Sequence, residues 1–557
     1  MTIAGGFAYS AMRVVGLAIG VFAAFVLARR FVRGGAVELG LYRARRAKGR
    51  RGDADVGSAA AYHDGLPSSD RTDALDDRTW RDLDLDDVFL AVDYTVSQPG
   101  RQYLYHLLRT PARDAIALGR LETAVRRASS DSQAVDRART ALASLDDRRA
   151  AGLINLVFGD LPARPRFWWL FPLLPLGSIA CLFAIVVWPR AFIVWLAICV
   201  ANVVLQIIYK PRVRAVASVL HEIPRFVHAA SALGRLDVPE WAAHTQQCRD
   251  GAAELATLRR ATSWLQFEPG QSNELVASIY EYVNLLFLLD INAFVIASET
   301  LRESRDVMRG VFEAIGYLDA AQSIAAWRAT LQQWTAPETV DQEKRISFES
   351  LFHPLLQEPV ANSLDTAGSS VLITGSNMSG KTTFVRTVGV NAVLASTLHT
   401  VCAGVWRAPS LHVRTSIGRA DSIMEGKSYY LAEVESVGEL IRAKESGQQH
   451  LFLLDEIFRG TNTTERVAAA YAVLAYLDRG NDIVIVATHD IEVIDLLGGR
   501  YSSYHFREEI VGGSVEFDYR IRPGQASSRN AIALLQVMNF PSEIVSDAIA
   551  ALDWKSR

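Results

Sequence analysis

The chain has 557 residues, which is more than one hydrophobic core accommodates and therefore predicts several domains. Its formal net charge of −3 gives no global reason to expect nucleic-acid binding, so any basic surface must be a local patch. Apolar residues make up 50% of the chain, and the excess lies in three apolar stretches. The four cysteines have no spacing typical of a zinc site or a disulfide framework, which fits a reducing compartment.

The first apolar stretch covers residues 14–28. Its 15 residues span only about 22 Å as a helix, so a full membrane crossing must include residues 7–12 and tolerate Arg13. A cleaved signal peptide is the alternative interpretation. However, the basic cluster follows the apolar run instead of preceding it, which favours an uncleaved membrane anchor over residues 1–33 with its C-terminal side in the cytoplasm.

The second and third stretches, 167–188 and 191–209, contain no charged residue and are each long enough to cross a hydrocarbon core of ~30 Å. A two-residue turn separates them, so we predict a transmembrane hairpin over residues 166–210. Two buried helices of a water-soluble core are the alternative, although such helices seldom stay uncharged on every face. Asn202 and Gln206 share one helical face, and we expect them to hydrogen-bond across the hairpin and not to mark a transport path.

The distribution of Arg and Lys predicts one orientation of these segments. The basic run 41–51 and the cluster Lys210, Arg212 and Arg214 would both lie on the cytoplasmic side. We therefore predict a multi-pass protein of the cell (inner) membrane, in contact with lipid through three transmembrane segments and with its C-terminal half in the cytoplasm. Attraction to anionic headgroups explains the basic run, and direct DNA contact is the alternative.

Four further segments make up the rest of the chain. They are a basic and polar linker over 34–72, a cytoplasmic helical domain over 73–165, a helical block over 211–335 and a final domain over 340–557. Alternating Asp and Arg in the first helical domain indicates a solvated surface. In the second block, apolar residues are expected between helices, such as Leu285, Leu286, Leu288 and Leu289.

The most informative motif is residues 375–382, which fit G-x-x-x-x-G-K-S/T between a short buried strand at 370–374 and a helix at 383–398. Backbone N–H groups of such a loop point at phosphates, its lysine reaches the β and γ phosphates, and its hydroxyl holds Mg²⁺. We therefore predict binding of ATP with Mg²⁺. The predicted nucleotide-binding residues are Gly375, Ser376, Asn377, Met378, Ser379, Gly380, Lys381, Thr382 and Thr383, with Lys381 also catalytic and Thr382 also a metal ligand.

Two later strands end in polar residues. The apolar run 451–454 leads into Asp455 and Glu456. Such a pair is common at structural positions, but downstream of a phosphate loop it predicts a metal ligand at Asp455 and a catalytic base that polarises water at Glu456. A second buried strand over 482–488 ends at His489, and because ligands lie at the carboxyl edge of such sheets, this histidine is predicted to sense the γ-phosphate.

Two loops precede predicted helices. Residues 460–463 close the loop after the acidic pair and cap a helix that begins near Glu465, while residues 426–428 precede a helix from Tyr429 to about Glu445. Groups at a helix start can contact a phosphate bound by a second subunit. An ordinary helix cap explains both loops equally well.

In combination, these motifs resemble the MutS family of ATPases, the DNA mismatch-repair clamps and their relatives. Residues 375–383 are similar to the family's G-P-N-M-x-G-K-S-T, residues 455–463 to D-E-I-G-R-G-T-S-T and residues 487–489 to A-T-H. Residues 352–354 with Asn362 are similar to the start of the family's ATPase domain. The turn at residues 522–524 and the helices after it are similar to its dimerising part.

The sequence also departs from the family pattern. Proline is replaced by Ser376, and the second glycine of the central loop by Phe458. The family's R-S-T-F is similar to residues 427–430, where only Ser428 carries over as a cross-subunit phosphate contact. Near the N-terminus, where membrane segments are predicted, the sequence shows no resemblance to the mismatch-reading domain.

The resemblance implies an α/β P-loop NTPase domain of the ABC class, preceded here by all-α helical domains and transmembrane helices. It implies Mg²⁺-dependent ATP hydrolysis, a homodimer formed through the ATPase domains, and coupling of the ATP state to DNA, mismatched or branched. One alternative is a membrane-anchored scaffold in which ATP gates protein partners without DNA. An ABC-transporter-type ATPase is another, although residues 425–429 differ from the L-S-G-G-Q such proteins carry.

Overall fold

The computed structural model describes residues 56–112, 114–159, 167–220, 222–262, 282–340, 343–376, 379–418, 429–458, 461–511, 514–525 and 540–555. The predicted first anchor and the basic run 41–51 lie outside these residues. The chain divides into two compact units. We call residues 1–66, 94–104 and 127–322 the helical unit, and residues 67–93, 105–126 and 323–557 the sheet unit.

Fourteen α-helices, besides the short helical segment at residues 282–287, precede the sheets in the described chain. They are α1 Val56–Gly65, α2 Asp77–Asp82, α3 Leu85–Val92, α4 Gln98–Arg109, α5 Ala115–Ser130, α6 Ser132–Leu142, α7 Leu153–Phe158, α8 Leu173–Val187, α9 Ala191–Leu220, α10 Ile223–Leu233, α11 Ala242–Glu254, α12 Ala256–Thr262, α13 Leu289–Glu303 and α14 Arg305–Arg328. Helices α2 and α3 belong to the sheet unit, and the division between units falls within α4, α5 and α14.

A buried carboxylate holds the start of α4 within the helical unit. Asp319 accepts hydrogen bonds from the backbone N–H of Ser97 at 2.8 Å and from its hydroxyl at 2.6 Å. Gly100 allows this contact, because a Cβ there would lie 2.0 Å from the Asp319 carboxylate. The negative charge therefore compensates the free N–H groups of a helix N-terminus inside a core.

The predicted hairpin is observed as a pair of apolar helices. Trp168–Val187 and Ala191–Tyr209 have mean hydropathies of 2.4 and 2.5, and by length and composition both could cross a membrane. Their far ends meet, since the rings of Phe171 and Tyr209 lie 5.5 Å apart. Two of the three predicted membrane segments thus have the required length, while the first lies outside the described residues.

Asn202 and Gln206 were predicted to hydrogen-bond across the hairpin, and this prediction is wrong about their partners. The Asn202 amide donates to the Leu286 carbonyl at 2.7 Å, and the Gln206 amide to the Asn284 carbonyl at 3.0 Å. Both carbonyls belong to a short helical segment, residues 282–287, that lies outside the hairpin. This segment ends at Leu288, whose φ of 48° interrupts the helix, so backbone carbonyls nearby need other donors.

The sheet unit contains ten strands among the described residues. They are β1 Glu338–Thr339, β2 Ser347–Leu351, β3 Asn362–Asp365, β4 Ser370–Thr374, β5 Val405–Ala408, β6 His412–Ile417, β7 His450–Asp455, β8 Ile483–Ala487, β9 Tyr501–Val511 and β10 Ser514–Pro523. A four-stranded sheet has the order β1-β5-β2-β3, and a six-stranded sheet has the order β10-β9-β4-β8-β7-β6. Five helices complete the unit: α15 Lys381–Leu398, α16 Tyr429–Lys444, α17 Thr463–Leu477, α18 Ile491–Leu497 and α19 Ser542–Lys555.

Strands β4, β7 and β8 form the centre of the larger sheet and are buried along their whole lengths. Their continuous apolar runs are typical of parallel strands covered on both faces. Helix α15 packs closely on this layer, because a Cβ at Gly389 would lie 2.6 Å from side-chain atoms of Leu453 and of Leu83. The strands predicted at 370–374, 451–454 and 482–488 are confirmed.

Residues 67–93 join the sheet unit because α2 covers its edge strand. The buried Asp82 carboxylate accepts hydrogen bonds from the Thr415 hydroxyl at 2.8 Å and from the Ile417 backbone N–H at 3.0 Å. An edge strand presents backbone groups that need partners. The segment 73–165, which the sequence predicted to be one domain, is therefore divided between the two compact units.

Candidate nucleotide-binding site

The carboxyl ends of β4, β8 and β7 bring the three predicted motifs to one sheet edge. In the strand register, Ala487 pairs with Ile373 on one side and with Asp455 on the other. Strand β8 thus lies between the strand that precedes the phosphate loop and the strand that ends in the acidic pair. Parallel strands place their following loops on the same side, which is where ligands bind in such sheets.

The phosphate loop requires glycine at two positions. Gly375 has φ 141°, and a Cβ there would lie 2.8 Å from the Ser379 hydroxyl and 2.9 Å from the Phe506 carbonyl. Gly380 has φ 100° and precedes the first residue of α15, which begins two residues earlier than predicted. A backbone without side chains at these points leaves room for a ligand to approach closely.

Lys381 is folded over this loop. Its ammonium group donates to the carbonyls of Gly375 at 2.6 Å and Ser376 at 2.7 Å, and the side chain is buried. The Ser379 hydroxyl donates to the Ser376 carbonyl at 2.8 Å. The cation is thereby held above the loop, at the place where the motif predicts phosphate oxygens.

The predicted metal ligands are in direct contact. The Thr382 hydroxyl donates to the Asp455 carboxylate at 2.6 Å, and Asp455 is 4% exposed. Hydroxyl and carboxylate oxygens suit Mg²⁺, which is commonly held by one or two protein ligands together with water and substrate phosphates. Within the described ranges, no group of three or more His, Cys, Asp or Glu forms a dedicated metal cage.

Glu456 and His489 face each other across the same edge. Glu456 adopts φ 54°, and its backbone N–H donates to the Ala487 carbonyl at 2.9 Å. The His489 Nδ1 lies 3.4 Å from the Glu456 carboxylate. The hydrogen bond to Glu456 raises the pKa of His489, and this effect outweighs the opposing effect of burial.

An ion pair that the sequence did not predict supports the loop next to Glu456 and His489. The Arg466 guanidinium makes two hydrogen bonds to the Asp490 carboxylate, at 2.9 and 2.7 Å. This pair links α17 to the residue that follows His489, and the bidentate geometry fixes the loop. The acidic residue directly after His489 could have suggested such an ion pair. Its partner Arg466 lies 24 positions earlier, and nothing in the local sequence identifies it.

Three further observations concern the loop regions. The side chain of Tyr519 flanks the phosphate loop, because its Cδ1 would lie 3.1 Å from a Cβ at Gly380. Phe458 has φ 60°, a conformation that favours glycine.

Asn462 caps α17 by accepting from the Glu465 backbone N–H at 3.0 Å, which confirms the predicted cap.

The remaining predicted residues are placed as follows. Thr383 is exposed in the first turn of α15, beyond the Thr382 hydroxyl. Asn377, Met378 and Ser428 lie outside the described residues. The Ser376 hydroxyl is buried and finds no hydrogen-bond partner within the described chain, which fits a loop built to receive a polar ligand.

The sheet unit also matches known proteins. Residues 371–554 match the family model described as MutS domain V. The DNA mismatch repair protein MutS of Thermus thermophilus is 29% identical over 278 residues, which cover 49% of this chain and 34% of that protein. The protein of the same name from Thermus aquaticus is 30% identical over 278 residues, with 49% and 34% covered.

A third relative gives a similar result. The DNA mismatch repair protein MutS of Natronomonas pharaonis is 29% identical over 270 residues, which cover 47% of this chain and 31% of that protein. The matched region thus spans about a third of the length of each of these relatives. The likeness concerns the region that contains the phosphate loop, the acidic pair and His489.

Proposed function

Because this chain is a MutS-family protein by virtue of its domain V, we propose that it binds ATP with Mg²⁺ and hydrolyses it. One observation carries the proposal. Lys381, Thr382 and Asp455 come together at the carboxyl edge of a parallel sheet, with the lysine above the loop and the other two joined at 2.6 Å. The strand order, with β8 between the phosphate-loop strand and the acidic strand, supports assignment to the ABC class.

Each residue has a distinct part in the proposed mechanism. Lys381 would neutralise charge on the β and γ phosphates, and Thr382 and Asp455 would hold the metal. Bound Mg²⁺ would neutralise developing charge on the phosphate oxygens. Glu456 orients and polarises the attacking water, while His489, whose Nδ1 lies 3.4 Å from the Glu456 carboxylate, positions that carboxylate.

A direct test is uptake of labelled ATP by the purified full chain with and without Mg²⁺. We expect Mg²⁺-dependent binding that Lys381→Ala removes, since the loop loses its only predicted phosphate cation. A matched control is Lys344→Ala, a lysine of the same unit that pairs with Asp478. Equal ATP uptake by the wild type and Lys381→Ala would remove the phosphate-loop assignment.

We further propose that the protein acts as a homodimer that couples its ATP state to DNA. The relatives are named as DNA mismatch repair proteins, which supports DNA as the ligand. The net charge of −3 favours the second candidate, a scaffold in which ATP gates protein partners. DNA affinity measured against salt separates the two candidates, because phosphate contacts give a steep fall of log K with log salt.

The apolar hairpin supports a place in the cell membrane. Its helices expose large apolar side chains, among them Ile193, Val200 and Ile207 at 70%, 57% and 71%. Exposed apolar area of this extent marks a lipid or protein contact, and the uncharged length of both helices favours lipid. Retention of the full chain in carbonate-washed membranes, and its release when residues 167–209 are replaced by a polar linker, would support this placement.

A further inference from the structure

A further apolar segment, residues 282–303, lies directly against the hairpin helices Trp168–Val187 and Ala191–Tyr209. Between Tyr282 and Ser298 it carries a single charged residue, Asp290. Residues 282–287 are helical, Leu288 interrupts the helix with φ 48°, and α13 then runs from Leu289 to Glu303. A broken apolar helix of this length is too short on either side of the break to span a bilayer.

Polar side chains stabilise the break. The Asn284 amide donates to the Asp290 carboxylate at 2.6 Å, and the Asp290 backbone N–H donates to the Asn284 side chain at 2.9 Å. In an unbroken helix that N–H would bond to the Leu286 carbonyl. The Leu286 carbonyl is instead paired with the Asn202 amide of α9 at 2.7 Å. The hairpin therefore supplies the donor that the break removes.

Two hydrogen bonds fix the depth of residues 284–286 along the hairpin. Asn202 and Gln206, which hold the carbonyls of Leu286 and Asn284, lie seven and three residues before Tyr209. Those separations correspond to about 10 Å and about 5 Å along a helix. From residue 284 to residue 286 the chain therefore moves away from the end of the hairpin at Tyr209 and toward its turn.

The returning part of the segment comes back to the same end. The Asn292 amide donates to the Phe171 carbonyl at 3.3 Å. Phe171 stands at the start of the first hairpin helix, and its ring contacts Tyr209 at the end of the second. Both limbs of the broken helix are therefore attached near the end of the hairpin where Phe171 and Tyr209 meet.

We propose that residues 282–298 form a re-entrant membrane segment, which enters the lipid beside the hairpin and leaves on the side from which it entered. The inference rests on the proposed membrane insertion of the hairpin. Its break would lie about a third of the way into a ~30 Å hydrocarbon core. Non-helical backbone is tolerated at such depth where protein groups satisfy it, as the Asn202 amide does for the Leu286 carbonyl.

Acyl chains are the partner that this surface fits. Tyr282 and Ile296 are large apolar side chains that are 70% and 52% exposed, on a segment that is hydrogen-bonded to the hairpin through Asn202. The one charge, Asp290, is at the start of α13 and receives the Asn284 amide, so it does not face the lipid unpaired. Tyr282 lies near the shallow end, where an amphipathic ring is favoured.

The test uses single-cysteine variants of the full chain in which Cys181, Cys199, Cys248 and Cys402 are replaced by Ala. An environment-sensitive fluorophore is attached at Leu286→Cys and, as the hairpin control of matched depth, at Val203→Cys beside Asn202. Arg235→Cys, exposed on the helical unit, is the aqueous control. The quencher is phosphatidylcholine brominated on its acyl chains, and ATP binding verifies that each variant is folded.

We expect similar quenching at positions 286 and 203 and none at 235. Quenching at 203 without quenching at 286 would overturn the re-entrant segment and leave the hairpin in place. Absence of quenching at both would overturn the proposed membrane hairpin and this inference with it. The exposed Ile296→Cys replaces Leu286→Cys if the latter does not fold, with a shallower position expected.

A second measurement distinguishes a re-entrant segment from a crossing one. Arg302→Cys, near the end of α13, is treated with a membrane-impermeant maleimide in intact cells and after permeabilisation. We expect labelling only after permeabilisation, because both ends of the segment lie on the cytoplasmic side. Labelling in intact cells would show that the chain crosses the membrane there and would overturn the proposal.

Discussion

The Thr382 hydroxyl donates a 2.6 Å hydrogen bond to the Asp455 carboxylate, although 73 positions separate the two residues. The phosphate-loop helix and the acidic strand are brought together by β8, which pairs with β4 on one side and β7 on the other. The two oxygen groups predicted to hold Mg²⁺ are therefore already adjacent. Preorganisation of this kind removes part of the cost of assembling a site.

Removal of the Thr382 hydroxyl should weaken metal use. We expect Thr382→Val to raise the Mg²⁺ concentration needed for half-maximal ATP hydrolysis at least ~10-fold, since loss of a group that holds or orients a metal commonly has that effect. Thr382→Ser keeps the hydroxyl and should stay close to the wild type. An unchanged Mg²⁺ requirement in Thr382→Val would exclude this hydroxyl from the metal site.

Loss of the Glu456 carboxylate should separate ATP binding from turnover. We expect Glu456→Gln to bind ATP normally and to hydrolyse it at least ~10²-fold more slowly, because a positioned general base contributes about that much. Glu492→Gln changes an exposed acid at the start of α18 and should leave the rate unaltered. Single-turnover hydrolysis measures the step directly, and a near-normal rate in Glu456→Gln would assign the base elsewhere.

The contact between His489 and Glu456 predicts a measurable titration. Because Glu456 raises the pKa of His489, Glu456→Gln should lower that pKa toward the ordinary value of ~6.5. Because the pKa of His489 is higher in the folded state than in the unfolded state, the ion pair increases the free energy of unfolding. This contribution is complete below the unfolded pKa and is lost as pH rises through the folded pKa. NMR of the imidazole C–H signals measures this shift. A pKa that does not change would mean that the pair does not form in solution.

A buried ion pair in the sheet unit predicts a stability loss. The Arg328 guanidinium, 4% exposed, donates to the Glu122 carboxylate at 2.8 Å and to the His399 carbonyl at 2.9 Å. Burial raises the pKa of Glu122, but hydrogen bonds from His399 and Arg328 outweigh it and hold the pKa well below its usual range. Removal of one partner leaves the other charge buried and unpaired.

We expect Arg328→Met to lower the local free energy of opening by about 3–5 kcal/mol, the usual cost of breaking a buried pair. Hydrogen exchange of the α15 amides measures this quantity in the full chain. Arg345→Met, which breaks the exposed pair with Asp365, is the control and should change little. An equal effect of the two substitutions would contradict the role given to burial.

The local chemistry of the sequence was sufficient for the parts of the site that are encoded by consecutive residues. The apolar runs at 370–374 and 483–487 predict buried strands because a parallel strand covered on both faces must be apolar throughout. The spacing of Gly375, Gly380, Lys381 and Thr382 predicts the phosphate loop, and both glycines adopt a positive φ in the structure. The order of these motifs was enough to relate the sheet unit to its family.

Tertiary structure alone decided which distant residues meet. Three contacts illustrate this: Arg466 with Asp490, Asp82 with Ile417 of β6, and Asn202 with Leu286. They join residues that are 24, 335 and 84 positions apart, respectively. No periodicity records such pairs, because each partner is locally an ordinary polar residue whose need for a hydrogen bond can be met by many others. Burial after folding removes water as the competing partner, and only then is one partner selected.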